Sequence, residues 1–457
     1  MKIGFGKAVI TPPVGSSLVG YFNDRRSTGI RDELYAISCV IEDRGSIFAI
    51  TTVDLIWLGE EQINKIRKIV NKETGIPSSN ILIHATHTHT GPIPDSSGRE
   101  TYKKGFYIEQ SYVEILPFYI AGSIRMAYNQ MTDAYISAGA DRVEGIAFNR
   151  RYLLKDGRVI TNPWDRVDDI VEVAGPLDDT LSVVKITEKK TDKIKGLIVN
   201  FALHPDTLGD TLISADWPGM LRTKMKDTFP EAEVMVLNGP SGDINHINPE
   251  APERRAGVEI TSYIAEQIKE KTISLLDGME TIKNPFLKTY YKKFSIPLRN
   301  VSYEELKKAK EVLKDKHILS DSFQYMVSSA IIEISKRKKR KITLEIIGCS
   351  FGKEIMVLGL PGEVFTETGI KIKELLPFRY KLLAQNSNTY LGYIPSEEAF
   401  RQEERNREIT PVYGTQSLKE AMGIDCSYET TPLACDVDIK AERYILSAIK
   451  RAITGKK

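Results

Sequence analysis

The chain changes from strand to loop within residues 80–92, which read Asn80-Ile81-Leu82-Ile83-His84-Ala85-Thr86-His87-Thr88-His89-Thr90-Gly91-Pro92. The apolar, β-branched beginning is typical of a buried strand, and Gly91-Pro92 breaks it. Side chains alternate along an extended backbone, so we expect His87 and His89 to point to the same side. Ligand sites of open α/β sheets lie at strand ends of this kind. The stretch therefore predicts a strand with a metal or oxyanion site at its end.

Similar strands and intervening helices predict the fold class. Short apolar, β-branched stretches predict strands over 36–41, 46–53, 194–202, 233–237, 342–349 and 355–360. Apolar residues at three- and four-residue spacing predict helices over 60–72, 111–127, 218–228 and 258–276. We expect an α/β fold, with a mixed β-sheet core flanked by helices. A single continuous domain should span residues 1–457, with a helical insertion at 302–337.

The composition is typical of a soluble globular protein. Of 457 residues, 41% are hydrophobic and 27% are charged. The net charge of +2 predicts no general attraction to nucleic acid, and the basic run 336–341 is interpreted as a solvated helix end or, alternatively, a basic patch. We see no leader sequence and no apolar stretch of about 18 residues, so we predict a cytoplasmic protein without a transmembrane anchor. The sequence does not decide the oligomeric state.

The histidines are clustered rather than scattered. Five of the six lie in three short segments, and His204 ends an apolar strand just before Pro205. Zinc hydrolases hold the metal with about three His, Asp, Glu or Cys ligands and leave one position open for water. Three histidines at two strand ends suit such a site, although each could instead be a hydrogen-bonded structural residue. The four cysteines have no CxxC spacing and predict neither a disulfide framework nor a cysteine-rich zinc site.

Two further segments could complete a metal site. Glu363 follows a predicted strand, and the alternative is a first-turn glutamate stabilised by a helix dipole. Tyr390 and Tyr393 end another apolar stretch, and the pattern alone does not choose between them. Ser241 lies in a glycine-rich segment but lacks the GxSxG context of a nucleophile.

Taken in order, the motifs resemble those of the neutral/alkaline non-lysosomal ceramidase family. They are spread over nearly the whole chain, and the resemblance implies a catalytic domain without the C-terminal immunoglobulin-like domain that the well-known members carry. The set comprises Gly20-Tyr21, Gly29-Ile30, Leu34-Tyr35-Ala36, Thr86-His87-Thr88-His89-Thr90-Gly91-Pro92, Phe148-Asn149-Arg150, Ala202-Leu203-His204-Pro205, Ser214-Ala215-Asp216, Gly242-Asp243, Pro361-Gly362-Glu363 and Tyr390-Leu391-Gly392-Tyr393.

The resemblance implies particular roles for these residues. It implies one Zn²⁺ per chain, held by four ligands: His87, His204, Glu363 and Tyr393. It implies that His89 and Arg150 contact the substrate or the developing oxyanion, and His89 could pass a proton to the leaving amine. Asp54 and Asp216 are candidates for orienting the histidine ligands. Further candidates near the metal or the substrate are Asp243 and Tyr390.

One segment departs from the family pattern. Lipid-cleaving members carry a serine with a catalytic part in a GDxSPN-like segment, whereas residues 242–247 read Gly242-Asp243-Ile244-Asn245-His246-Ile247. Asn245 is therefore the catalytic candidate at that position. The resemblance implies a zinc-dependent hydrolase that cleaves an N-acyl amide bond in a small or lipid-like substrate, such as ceramide. Alternatives are a zinc esterase, deacetylase or phosphoester hydrolase and, from another class, a non-catalytic metal-holding binding protein.

Overall fold

Two β-sheets form the centre of the computed structural model, which describes residues 1–95, 106–251, 256–409 and 426–455. Their strands are β1 (Lys2–Val9), β2 (Tyr35–Asp43), β3 (Ser46–Val53), β4 (Ile81–Ala85), β5 (Thr132–Arg142), β6 (Thr180–Glu188), β7 (Ile194–Phe201), β8 (Glu233–Asn238), β9 (Leu287–Pro297), β10 (Lys341–Phe351), β11 (Ile355–Gly359) and β12 (Tyr380–Ala384). Shorter paired strands surround them: Ser17–Leu18, Arg25–Arg26, Gly29–Ile30, Phe148–Asn149, Arg151–Leu154, Val159–Thr161, Ile170–Val173, Leu212–Ile213, Ile244–Asn245, Glu363–Val364 and Tyr393–Ile394.

Helices cover the outer faces of both sheets. The α-helices of the described residues are α1 (Glu60–Thr74), α2 (Gln110–Asn129), α3 (Asp216–Lys226), α4 (Val258–Asp277), α5 (Tyr303–Val312), α6 (Phe323–Lys336), α7 (Thr366–Leu375), α8 (Glu397–Ile409) and α9 (Ala441–Thr454). Short 3₁₀ turns lie at Ser78–Asn80, Val167–Asp169 and Tyr428–Thr430. None of the helices within this described part has the length and apolarity needed to cross a bilayer. The cytoplasmic location stays a prediction.

Both sheets are mixed. The first has the order β8-β7-β6-β5-β1-β2-β3-β4, in which the β7/β8 and β3/β4 pairs are parallel and the other neighbours antiparallel. The second has the order β9-β10-β11-β12, with a parallel β11/β12 pair and the other pairs antiparallel. The predicted mixed α/β architecture is therefore confirmed, with two stacked sheets in its core.

An apolar layer joins the two sheets. Phe5 and Ile50 of the first sheet lie in one buried cluster with Cys349 and Val357 of the second. Successive strand side chains point to opposite faces, so the other face of each sheet needs its own cover. α1 and α2 cover one half of the first sheet, α3 and α4 cover the other half, and α7 and α9 cover the second sheet. The layers thus run helix, sheet, sheet, helix.

The charge-rich stretch 302–337 forms two helices outside these layers. A capping box between Ser302 and Glu305 starts α5, and the buried side chains of α6 pack against Leu433. The basic run joins the end of α6 to β10, and Arg337 pairs with Asp436 at 2.7 Å. That this stretch is an insertion stays a prediction.

Candidate metal centre

Three histidine side chains meet beyond the ends of β4 and β7. The ring centroids of His87, His89 and His204 lie 5.0, 4.7 and 5.1 Å apart in the three pairings. One nitrogen from each ring lies within 4.8 Å of the nitrogens of the others. All three side chains are buried, so the structure brings together the histidines that the sequence singled out.

The loop that carries His87 and His89 is not extended. His87 has a φ of 76°, a left-handed conformation that residues other than glycine rarely adopt. The two rings do lie together as predicted, but the predicted reason was wrong, because the backbone is not extended at His87. Thr88 Oγ1 and Thr90 Oγ1 hold the loop by donating to the Ser214 carbonyl at 2.7 and 2.9 Å. Backbone strain of this kind persists only where such contacts fix it, and it is common at functional sites.

Backbone carbonyls orient two of the imidazoles. The Nδ1 atom of His87 lies 2.8 Å from the Ile56 carbonyl oxygen, and that of His204 lies 3.1 Å from the Ser241 carbonyl oxygen. A carbonyl only accepts, so each Nδ1 carries the proton and each Nε2 presents a lone pair. Both Nε2 atoms face Glu363, whose Oε2 lies 3.1 Å from His87 Nε2 and 3.7 Å from His204 Nε2.

A two-residue parallel pairing places Glu363 beside Tyr393. The short strands Glu363–Val364 and Tyr393–Ile394 pair so that Glu363 lies opposite Tyr393. α7 begins only at Thr366, so Glu363 is not a first-turn helix residue. Tyr390 lies apart from this pair and stacks on Trp57, with ring centroids 4.3 Å apart. The structure therefore separates the two tyrosines that the sequence pattern alone could not.

Arg150 is buried next to the same groups. Its Nε donates to Glu429 Oε1 at 2.9 Å, and its Nη2 donates to the Gly242 carbonyl at 2.7 Å and to the Tyr393 hydroxyl at 3.1 Å. Burial alone would lower the pKa of Arg150, but the Tyr428, Tyr393 and Glu429 groups hold it well above its ordinary value. A permanent positive charge therefore lies beside the Tyr393 hydroxyl.

The histidines differ in their protonation preferences. Burial lowers the pKa of His89 and of His204, and the positive charges of His87 and Arg150 add to that effect. Burial also acts to lower the pKa of His87, but the Glu363 carboxylate, the Ile56 carbonyl and Asp206 together raise it above its ordinary value. Neutral imidazoles keep the lone pair that a metal needs.

Unsatisfied buried atoms fit a cation at this point. Among the described residues, His204 Nε2, Glu363 Oε2 and both ring nitrogens of His89 have no hydrogen-bond partner. Orphaned buried polar atoms are rare because each costs free energy, and imidazole and carboxylate donors suit Zn²⁺. Two donor sets overlap here. One is the three histidines, and the other is His87 and His204 with Glu363 and Tyr393.

A cavity of about 270 Å³ opens onto these donors. An apolar wall is formed by residues of one packed cluster, Val19, Ile56, Trp57, Ile93, Phe106 and Tyr390. Phe22 also lines the cavity and packs against Tyr428. The polar lining consists of Tyr21, His87, His89, Arg150, Asn162, Asp206, Glu363, Tyr393 and Tyr428. Sequence reasoning missed four of these as site residues: Tyr21, Asn162, Asp206 and Tyr428. Tyr21 belongs to the Gly20-Tyr21 motif and Asp206 directly follows Pro205, but no local pattern marks Tyr428.

Comparison with known proteins gives the family of the chain. The family model for the N-terminal region of neutral/alkaline non-lysosomal ceramidases matches residues 1–238. The chain belongs to that family. The predicted family is thereby confirmed, and no curated protein sequence matches this ceramidase-family chain.

Solved structures share the fold of this ceramidase-family chain. A neutral ceramidase from Pseudomonas aeruginosa has a TM-score of 0.71 at 17% identity, with 98% of this chain and 74% of that chain covered. A ceramidase complexed with C2 has a TM-score of 0.70 at 15% identity, with 99% and 75% covered. Likeness at these identities shows the fold. The family and the fold together support a hydrolase.

The hydrogen-bond partners of Asp54 and Asp216 differ from those predicted. Asp54 accepts from the Tyr35 backbone N–H at 2.8 Å and pairs with Arg222. Asp216 accepts from Thr207 Oγ1 at 2.6 Å and from the Trp217 backbone N–H at 2.7 Å. These hydrogen bonds of the two carboxylates go to Thr207, to Arg222 and to backbone N–H groups, and not to the histidine rings. The expectation that they orient the ligands is corrected, because the Ile56 and Ser241 carbonyls do so.

Residues 241–245 hydrogen-bond to the segments that surround the site. Asp243 accepts from the Thr366 backbone N–H at 2.8 Å and from Asn149 Nδ2 at 2.9 Å, and so joins the Arg150 segment to α7. Asn245 Nδ2 donates to Asn162 Oδ1 at 2.9 Å. Of these two residues, it is Asn162 that lines the cavity. Ser241 Oγ accepts from Gln385 Nε2 at 2.8 Å and is fully buried.

Proposed function

We propose that this protein is a zinc-dependent amidohydrolase that cleaves an N-acyl amide bond. The observation that carries the proposal is the convergence of His87 Nε2, His204 Nε2 and Glu363 Oε2 on one point at the base of a largely apolar cavity. We assign His87, His204, Glu363 and Tyr393 as ligands of a single Zn²⁺. His89, with both ring nitrogens free of hydrogen bonds to the described residues, is left for the substrate.

The residues around the donors suit amide hydrolysis. Zinc, when bound, would supply a Lewis acid and lower the pKa of a water molecule. His89 would deliver a proton to the amide nitrogen as the C–N bond breaks, so that water and amide become a carboxylic acid and an amine. Arg150 would stabilise negative charge on the carbonyl oxygen. The apolar wall, with Trp57 and Tyr390 stacked in it, would hold the acyl chain.

The substrate class is best tested with matched panels. N-acyl amides, acyl esters and phosphoesters would be offered to the zinc-loaded protein with and without a chelator. We expect chelator-sensitive turnover of N-acyl amides, restored when zinc is added back. Turnover of phosphoesters alone would refute the amidase assignment. The apolar wall favours a lipid-like acyl group, and ceramide is one member of that class.

Replacing His89 with alanine should show which of the two donor sets binds the zinc. We expect the variant to keep its zinc, because His89 is not an assigned ligand, and to lose about 10²–10⁴-fold in kcat, as is typical when an acid–base group is removed. Zinc content and amide turnover would be measured on the same preparation. His317→Ala, which changes an exposed histidine, is the control. Loss of zinc from His89→Ala would instead support the three-histidine set.

Gly20 should be intolerant of a side chain. A Cβ atom there would lie 2.5 Å from His89 Cγ, and the φ of Gly20 is 127°. We expect Gly20→Ala to displace the His89 ring and to lower kcat by about 10²-fold, as misplacement by about 1 Å can do, while zinc content is unchanged. Gly15→Ala is a matched control, because Gly15 also has a positive φ, 101°, but faces open space. Equal activities of the two variants would contradict the steric argument.

A further inference from the structure

The cavity contains a carboxylate that the proposed reaction does not use. Asp206 lines the cavity, two residues after His204. Its Oδ1 lies 3.5 Å from Nδ1 of His246, and the side chains are 16% and 1% exposed respectively. Among the described residues, His246 is the ion-pair partner of this carboxylate. His246 follows Asn245, in the segment that departs from the lipid-cleaving members of the family.

Asp206 belongs to the polar end of the cavity. The backbone N–H of His89 donates to the carbonyl of Pro205 at 3.1 Å, which ties the Asp206 segment to His89. The Tyr21 ring packs edge-on against His89, with centroids 5.3 Å apart. If His89 protonates the leaving nitrogen, the amine half of the substrate must lie at this end. The acyl half then lies along the apolar wall.

At the polar end of the cavity, Asp206 Oδ1 has no hydrogen-bond partner among the described residues. Arg150 is neutralised by Glu429 at 2.9 Å, and Glu363 is assigned to the metal. The ion-pair partner of Asp206 is the His246 imidazole at 3.5 Å, and the Arg25 guanidinium, which stacks on Tyr21, donates to the backbone carbonyls of His89 and Asp210. Hydrogen bonds between a cationic donor and a carboxylate are among the strongest that a protein forms with a ligand.

We propose that Asp206 recognises a positively charged nitrogen on the amine half of the substrate. The preferred substrates are then N-acylated diamines or related amides with a free ammonium group, and not amides of a long-chain base. The cavity of about 270 Å³ is just below the usual range of about 300–1,000 Å³ for ligand pockets, which favours short substrates. This inference rests on the proposed amidase function.

Three amides of equal size test the proposal: N-hexanoyl-1,2-diaminoethane, N-hexanoylethanolamine and N-hexanoylpropylamine. At neutral pH only the first carries an ammonium group. We expect its kcat/KM to exceed that of the propylamine amide by about 10- to 100-fold in the wild type, the range of a hydrogen bond to a charged group. In Asp206→Asn the ratio should fall to near one. Asp210→Asn, which changes a carboxylate on the same loop that pairs with Arg31, should keep the wild-type ratio.

A binding measurement distinguishes a failure of the proposed Asp206 role from a failure of the proposed amidase function. Calorimetry on the zinc-loaded protein would give the affinity for each amide whether or not it is hydrolysed. Tighter binding of the diamine amide without turnover would support the role of Asp206 and refute the amidase. Equal binding of all three amides by the wild type would overturn the role of Asp206, even if Asp206→Asn failed to fold. A preference for the diamine amide that persists in Asp206→Asn would also overturn it.

Discussion

Alanine in place of His204 is expected to abolish zinc binding and to lower amide turnover by more than 100-fold. His204 Nε2 is buried and lies 3.7 Å from Glu363 Oε2, so alanine removes one of the converging donors. Losing a group that merely orients a metal ligand already costs about 10–100-fold, and losing a ligand should cost more. Zinc content after metal-replete expression and turnover of an N-acyl amide are the measurements.

A second buried histidine provides the control for His204. His84 lies on β4, but its Nδ1 contacts the Gln385 carbonyl at 2.5 Å and its Nε2 accepts from the Asn238 backbone N–H at 3.0 Å. We expect His84→Gln to keep one zinc per chain. One zinc per chain in His204→Ala would contradict the ligand assignment. Zinc bound by His204 in a wild type that hydrolyses nothing would favour the metal-holding binding protein.

Glutamine in place of Glu429 is expected to lower the free energy of unfolding by about 3–5 kcal/mol, because it leaves the buried Arg150 charge unpaired. Glu429 is fully buried, and its carboxylate accepts hydrogen bonds from Arg150 Nε at 2.9 Å and from Thr161 Oγ1 at 2.6 Å. Turnover should fall as well, because the guanidinium would no longer be held against the Tyr393 hydroxyl. Urea unfolding and kcat, measured on the zinc-loaded protein, check both effects.

An exposed pair of the same type is the matched control for Glu429. Glu144 lies 3.5 Å from Arg142, and their side chains are 71% and 66% exposed. Solvent screens such a pair, so Glu144→Gln should change stability little or not at all. If both variants lost a similar free energy of unfolding, burial would not be the reason that the Arg150–Glu429 pair stabilises the protein.

Local patterns predicted the parts of the fold that depend on local sequence. The alternation of apolar strands and helices indicated the mixed α/β class, and the strand before His87 and the strand before His204 both exist. The stacking of a second sheet on the first has no local signature, because Phe5 and Val357 meet only through tertiary packing. That is why the sequence predicted a sheet core without its second layer.

The site was predictable where residue type alone restricts the chemistry. Histidines at strand ends are unusual, so His87, His89 and His204 could be found, whereas Glu363 and Tyr393 needed the family resemblance. The role expected of Asp54 and Asp216 belongs instead to backbone carbonyls, which no side-chain pattern reveals. Glu429 could not be found because its partner, Arg150, is far away in the sequence.

The assigned donors come in equal numbers from the two sheets. His87 and His204 follow β4 and β7 of the first sheet, and Glu363 and Tyr393 follow β11 and β12 of the second. Neither sheet alone can offer the proposed set, so binding of zinc by all four residues would require the two sheets to be docked. Binding to the docked state alone then stabilises that state by mass action. A zinc ion bound as proposed would connect the two sheets, and the zinc content of a preparation would report the fraction of chains in which they are docked.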